Sequence, residues 1–442
     1  MNDTDTIAAV ATPSGTGGIG IVRLSGRNAE HIAKTLIGGG DLLPRHAHHR
    51  RFLDAAGQTI DNGLILYFPG PKSYTGEDTV ELQGHGSPVV LSMLLERCFE
   101  LGARHARPGE FTQRAFVNGR MDLLQAEAVA DLICADTETA ARQAQRSLSG
   151  EFSDRIEQLA SEITRLRVYV EAALDFPEEE IDFLSDGHVS NLLGNIVESL
   201  TQILANAKQG ALFHGGAQLV LAGEPNVGKS SLLNALTKQD TAIVTPVAGT
   251  TRDVLKEKIV IGDVPLLLFD TAGIRESDDL VEKEGIRRAE QALASADLKI
   301  YVMDDAAESF SSPPADADIC VINKVDLSSR ATGPFTLNAC TCVPVSAHTG
   351  AGMDDLKKAI LHQLGLGERS ENGFSARSRH LLALSEAHST LRLSQESFHR
   401  SGAGELLADD LRTIHTTLEG LTGALSSDAL LGEIFSSFCI GK

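Results

Sequence analysis

The 442-residue sequence predicts a multidomain chain: an N-terminal α/β or α+β domain over residues 1–120, an all-α domain in two stretches, 121–215 and 371–442, and an α/β domain over 216–370 inserted between them. Three observations carry this expectation. A glycine-rich loop at 223–230 lies between a strand-like run and a helix-like one. Apolar residues recur by threes and fours from Leu148 through Phe152, Ile156, Leu159, Ile163, Leu166 and Val170 to Leu174, which predicts one long buried helical stripe. The helical pattern resumes after a Gly-containing linker, Gly365 to Gly373. Neither helical stretch is thick enough to bury a core alone, so the two are expected to pack together, with the insertion able to rotate helices on both sides.

The inserted loop reads Gly223-Glu224-Pro225-Asn226-Val227-Gly228-Lys229-Ser230, preceded by the apolar Leu219 to Ala222 and followed by helix-forming residues from Ser231 to Leu236. Glycines let consecutive backbone N–H groups converge on phosphate oxygens, and the following helix aims its positive end at the same anion. Lys229 is expected to reach the β/γ-phosphates and Ser230 a Mg²⁺ ion. Asp270-Thr271-Ala272-Gly273 follows the strand pattern Pro265 to Phe269 and offers a carboxylate that can hold Mg²⁺ through water. Thr250-Thr251 lies between the two, where a switch threonine meets Mg²⁺ and γ-phosphate. Asn323-Lys324-Val325-Asp326 follows the apolar strand Ile319 to Ile322. An Asp there accepts two hydrogen bonds from guanine, whereas adenine, lacking the exocyclic amine, would leave it unpaired. Ser346-Ala347, after the strand Cys342 to Val345, suits a loop that closes over the base. Together these imply GTP as the nucleotide and a Ras-like P-loop domain.

Composition bounds the rest. Hydrophobic content of 42% indicates a folded protein, and no run approaches the length of a membrane span. The N-terminus, Met1 to Asp5, has no basic region and is read as no secretory signal. The six cysteines, at 98, 134, 320, 340, 342 and 439, form no CxxC pair, so reduced thiols in a cytoplasm are expected. The net charge of −21 argues against a surface that binds nucleic acid throughout, but it is uneven. Residues 1–120 hold 12 Lys and Arg against 12 Asp and Glu, whereas 121–215 hold 6 against 17. Arg50, Arg51, Arg104, Arg107, Arg114 and Arg120 leave room for a local phosphate-contacting face in the first region. That region also carries strand patterns at Gly18 to Leu24, Gly63 to Phe68 and Asp78 to Leu82, and a helix pattern from Pro88 to Leu101. A helix is expected from His188 to about Gln209.

The segments Pro108-Gly109-Glu110-Phe111, Phe176 to Phe183, Gly249-Thr250-Thr251-Arg252-Asp253 and the terminal Phe438-Cys439-Ile440-Gly441-Lys442, with the nucleotide motifs, resemble the MnmE (TrmE) family of tRNA-modification GTPases along the full chain. The resemblance implies a cytoplasmic homodimer that works with the flavoprotein MnmG on tRNA, installing an aminomethyl-type group on carbon 5 of the wobble uridine. It implies a one-carbon unit from 5-formyltetrahydrofolate or a related tetrahydrofolate, held by Arg23, Glu81, Arg120 and Lys442. At 120 the family commonly has Lys, so the donor there changes from point to fork. Ile274 stands where many Ras-like enzymes place a water-orienting Gln. The resemblance names two substitutes: K⁺ held by Asn226, Thr245, Val247 and Thr250, and Glu282 orienting the water. Val227, Gly228 and Ser231 complete the implied nucleotide contacts, and Thr251 joins Ser230 on Mg²⁺. Cys439 reads either as an inert near-terminal thiol or as a thiolate nucleophile on a tail that reaches the folate site. A different class, a non-enzymatic GTPase switch in ribosome or RNA assembly, usually adds a basic RNA-binding domain that this sequence lacks.

Overall fold

A computed structural model describes residues 5–175, 187–239, 256–270, 296–305, 313–328, 330–338, 340–366, 373–424 and 428–441. They form two compact units, one of residues up to 130 together with those from 415 onward, the other of residues 131–414.

The first unit begins with β1 (Thr6–Val10), β2 (Gly17–Ser25), α1 (Ala29–Leu36), β3 (His48–Leu53), β4 (Thr59–Phe68), β5 (Thr79–Gly86), α2 (Pro88–Glu100), β6 (Ala103–His105), α3 (Glu110–Val117) and most of α4 (Leu123–Ile133). Its strands make one sheet in the order β3-β4-β5-β2-β1-β6, antiparallel except where β1 meets β6. Strand alternation sorts the side chains. Ala8, Val22, Leu24, Val80 and Leu82 face α1 and α2, where Ile32, Leu36, Leu91 and Leu94 close the core. Ile7 and Ala9 point the other way, onto Ala106 and Phe111. Arg23 and Glu81 alternate onto that second face and are register partners across β2 and β5.

The second unit contains α5 (Glu138–Leu148), α6 (Glu151–Asp175), α7 (His188–Gly215), β7 (Ala217–Ala222), α8 (Lys229–Gln239), β8 (Lys256–Ile261), β9 (Val264–Asp270), β10 (Leu298–Asp304), β11 (Ile319–Asn323), α9 (Val325–Ser328), β12 (Phe335–Leu337), β13 (Cys340–Pro344), α10 (Met353–Gln363), α11 (Ser378–Ser401) and the first part of α12 (Gly404–Thr422). The remainder of α12 and α13 (Asp428–Ser436) return to the first unit, where Leu431, Ile434, Phe435 and Phe438 pack on Leu123 and Ala126.

The stripe from Leu148 to Leu174 is not one helix: α5 ends at Leu148 and α6 starts at Glu151. Leu148 and Phe152 are four apart, so helical spacing carries across the interruption and conceals it. Helix α7 in turn runs past Gln209 to Gly215, because Ala207, Gly210 and Phe213 continue its buried face. After α10 the chain returns to these helices. Phe374 stacks on Phe152 with centroids 4.0 Å apart, and Arg377 donates to Asp131 Oδ1 from Nε at 3.1 Å and Nη2 at 2.5 Å. The Ser375 hydroxyl donates to the same buried carboxylate. Thr201 on α7 meets His388 on α11 at 3.0 Å.

The sheet of this unit has the order β12-β13-β11-β10-β7-β9-β8, with β9, β7, β10, β11 and β13 parallel. All five residues of β11 are buried, as a parallel strand covered on both faces requires. From β7 the chain proceeds to β9 on one side and β10 on the other, so the carboxyl end of β7 lies at the switch point where such sheets bind ligands.

Candidate functional site

The glycine-rich loop leaves β7 at that switch point and turns into α8. Gly228 has φ +97°, and a Cβ there would stand 2.3 Å from Asn323 Nδ2, so the close approach requires glycine. Asn226 also adopts a left-handed backbone, φ +65°, which Asn tolerates better than most residues. Lys229 is 7% exposed and donates to the carbonyls of Gly223 at 2.8 Å and Glu224 at 2.9 Å. Its ammonium is thereby held against the loop's own backbone. Ser230 and Ser231 are exposed in the first turn of α8, where free N–H groups and the helix dipole favour an anion. Asp270 ends β9 as the register partner of Leu221 on β7, which puts that strand end beside the loop's start. A serine hydroxyl and a strand-end aspartate are hard oxygen donors of the kind Mg²⁺ takes.

Asn323 and Lys324 tie the motif Asn323 to Asp326 to this loop. Asn323, 2% exposed, donates from Nδ2 to the Val227 carbonyl at 2.9 Å and accepts from the Ala347 N–H at 3.1 Å. One buried amide therefore joins three motifs lying far apart in sequence. Lys324 donates to the Asn226 carbonyl at 3.0 Å and to Asp304 Oδ2 at 2.6 Å. Ser346, fully buried, donates to Asp326 Oδ1 at 2.6 Å and accepts from the Thr349 N–H at 3.1 Å, so the exposed Asp326 carboxylate is oriented from below. Asp304 was absent from the sequence expectation; the acidic pair Asp304-Asp305 at the carboxyl end of an apolar strand is the signal that marks it. Thr245, Val247, Thr250, Thr251, Thr271, Ala272, Gly273, Ile274, Glu282 and Lys442 lie outside the described residues.

On the second face of the N-terminal sheet, Arg23 donates to Glu81 Oε1 from Nε at 3.1 Å and Nη2 at 2.9 Å. The guanidinium lies 5.6 Å from the Tyr74 ring centroid and 5.8 Å from that of Phe111, and the two charged side chains keep 22% and 17% of their exposure. The C-terminal tail reaches this unit's sheet. The Cys439 carbonyl accepts from the Gly109 N–H at 3.4 Å, and Gly441 sits so near β1 that a Cβ would stand 2.2 Å from the Val10 carbonyl oxygen. Ala9, the residue before Val10, is the register partner of Arg23. Cys439 is exposed, as is Arg120, whose aliphatic stem lies against the Gly76 turn.

The sequence placed Arg104, Arg107 and Arg114 among cations available to a phosphate, but all three are engaged by internal carboxylates. Arg104 Nη1 donates to Glu110 Oε2 at 2.8 Å, Arg107 contributes its backbone N–H at 2.8 Å, and Arg114 bridges Glu110, Asp5 and Glu77. These residues line a cleft of about 500 Å³. Glu110 is 2% exposed. Burial alone would raise its carboxyl, but the hydrogen bonds from Arg104 and Arg107 outweigh that and bring it from 4.5 to about 2. A depressed carboxyl stabilises the fold above its unfolded value and loses that contribution as pH falls through the folded one. The loss should therefore occur between about pH 4.5 and 2 and amount to about 3 kcal/mol. Acid unfolding followed by circular dichroism should show this limb in the wild type and a flattened one in Glu110→Gln; identical limbs would contradict the assignment.

Two family models cover the chain: that of the GTP-binding protein TrmE N-terminus matches residues 6–120, and that of the MnmE helical domain matches residues 123–439. The tRNA modification GTPase MnmE of Pseudomonas aeruginosa (strain UCBPP-PA14) is 52% identical over 452 residues, 99% of each chain. Its counterpart in Legionella pneumophila (strain Corby) is 52% identical over 448 residues, and that of Stutzerimonas stutzeri (strain A1501) 51% over 457, again 99% of each chain. Among solved structures, a point variant of Aquifex aeolicus Era bound to GDP·AlF4⁻ aligns with 40% of this chain and 67% of its own at 29% identity, with a TM-score of 0.25, a superposition too loose to add weight. On its matched models and its full-length likeness to these relatives, the chain belongs to the MnmE family of tRNA modification GTPases.

Proposed function

We propose that this chain is a K⁺-dependent GTP hydrolase that works with the flavoprotein MnmG to install an aminomethyl-type group on carbon 5 of the wobble uridine of tRNA. In this reading residues 216–370 are a GTPase module inserted in a helical domain, and residues 1–120 bind a tetrahydrofolate. The observation that supports it most is the convergence of loop, base motif and closing loop on Asn323 and Ser346, which fits a guanine nucleotide with its phosphates on α8.

Ser230 and Thr251 would hold Mg²⁺, with Asp270 behind a water, to neutralise phosphate charge. Asn226, Thr245, Val247 and Thr250 would hold K⁺, which would offset the negative charge that develops as the bond between the β- and γ-phosphates breaks. Glu282 would orient the attacking water, a task Ile274 cannot perform. Arg23, Glu81, Arg120 and Lys442 would hold the folate. The fit is chemical: a half-buried carboxylate faces donor-rich pterins well, and the half-buried Tyr74 ring lies beside the Arg23 guanidinium that pairs with it. The exposed Cys439 thiol is the candidate nucleophile for the carbon transfer, against the reading as an inert near-terminal thiol. In this reading the chain acts as a homodimer. Six free cysteines fit a cytoplasmic setting, and among the described residues no helix is long and apolar enough to cross a membrane.

GTP turnover measured in KCl and in NaCl tests the hydrolytic half. Na⁺ should lower kcat at least ~10-fold, or about 1.4 kcal/mol of transition-state stabilisation. Asn226→Gly, which keeps the left-handed loop unstrained, should erase the difference between the ions while nucleotide binding persists. Equal turnover of the wild type in the two salts would refute the K⁺ mechanism.

A further inference from the structure

We propose that the free edge of the N-terminal sheet, at β3, is a contact surface for the phosphate backbone of RNA, built by Arg45, Arg50, Arg51 and Lys72. The proposal rests on the tRNA reading above and adds where this chain would touch its substrate. The segment Arg45-His46-Ala47-His48-His49-Arg50-Arg51 contains no acidic residue in a chain of net charge −21.

Of the 12 Lys and Arg in residues 1–120, six are held in ion pairs: Arg23, Lys34, Arg97, Arg104, Arg107 and Arg114. Four of the other six gather at this edge. Arg50 and Arg51 lie on β3, Arg45 leads into it, and the Arg45 guanidinium donates to the Lys72 carbonyl, which brings Lys72 to the same place. None of these four is in an ion pair among the described residues.

The neighbouring strand does not neutralise them. Arg50 is opposite Gly63 and Arg51 opposite Asn62 on β4. The one acidic partner in that register, Asp61 opposite Phe52, is 9% exposed and accepts from His85 through both Nδ1 and the backbone N–H, each at 2.8 Å. Burial alternates along β3, with Arg50 half-buried on the face of Phe52 and Arg51 exposed on the other. The edge therefore carries guanidinium groups on both sides, a ridge that can follow a chain of phosphates through forked, charge-assisted hydrogen bonds. A second copy of the same edge is a poor occupant, because strand-to-strand pairing would set like charges against each other.

The test measures tRNA affinity of the full chain against KCl concentration by fluorescence anisotropy, for the wild type and for a triple variant R45A/R50A/R51A whose thermal midpoint confirms folding. Loss of three phosphate contacts should flatten the slope of log K against log salt by about 2 to 3 and weaken binding at least ~10-fold near 0.1 M salt. The corresponding triple Lys variant should keep the slope. A triple Ala variant with the wild-type slope would overturn the proposal while leaving the tRNA reading intact. Wild-type protein that binds no tRNA at any salt would sink the tRNA reading and this surface with it. A changed sedimentation coefficient with an unchanged slope would assign the edge to self-association instead.

Discussion

Replacing Asp326 with Asn should turn the nucleotide preference from GTP towards xanthosine triphosphate. The carboxylate can accept from the N1–H and exocyclic amine of guanine at once, and the buried Ser346 hydroxyl, 2.6 Å from Oδ1, keeps it aimed. In the variant the amide presents a donor to the guanine amine, leaving two donors poorly met. Such a mismatch to a charged partner should cost about 3 kcal/mol, or on the order of 100-fold in GTP affinity. Xanthine carries an oxygen at C2, which the new N–H can meet, so its triphosphate should bind the variant better than GTP does. Calorimetric titration with GTP, ATP and xanthosine triphosphate decides the matter. Equal affinity of the wild type for GTP and ATP would remove the basis of the assignment.

Deleting residues 439–442 should abolish wobble-uridine modification in cells while GTP hydrolysis remains measurable. The tail is a built part of the N-terminal unit: Gly109 donates to the Cys439 carbonyl, and Gly441 packs on β1 one position along from the partner of Arg23. Residues 439–442 lie far in sequence from the motifs at 223–230, 270–273 and 323–326, so phosphate chemistry should survive their loss. Cys439→Ser separates thiol chemistry from tail docking, since the seat is made by backbone and Gly441. Normal modification with Ser at 439 would leave the thiol without a chemical role, and full modification by the truncated chain would remove the tail from the site.

The elements of the candidate nucleotide site were legible because their signals are local. Leu219 to Lys229 specify strand, loop and helix within a dozen positions, and Ile319 to Asp326 repeat the logic, so each motif could be read without knowing its neighbours. What joins them was hidden. Asn323 and Lys324 read as base contacts, yet both also brace the phosphate loop through Val227 and Asn226, about a hundred residues away. The N-terminal site was harder for the same reason. Alternation in β2 and β5 places Arg23 and Glu81 on one face each, but only the register makes them partners. Arg104 and Arg114 looked like free cations because Asp5, which pairs with both, lies about a hundred residues away, and because Glu110, a near neighbour in sequence, is a buried carboxylate that composition presents as ordinary surface charge. Arg50 and Arg51, in no ion pair among the described residues, stand opposite Gly63 and Asn62 on β4.

Whether this chain serves the modification of tRNA wobble uridine is read most directly from nucleoside mass spectrometry of tRNA. Total tRNA from cells lacking the gene for this chain, hydrolysed to nucleosides, should lose the uridines bearing an aminomethyl-type group at carbon 5, and the wild-type gene supplied in trans should restore them. A nucleoside profile unchanged by the deletion would contradict the account.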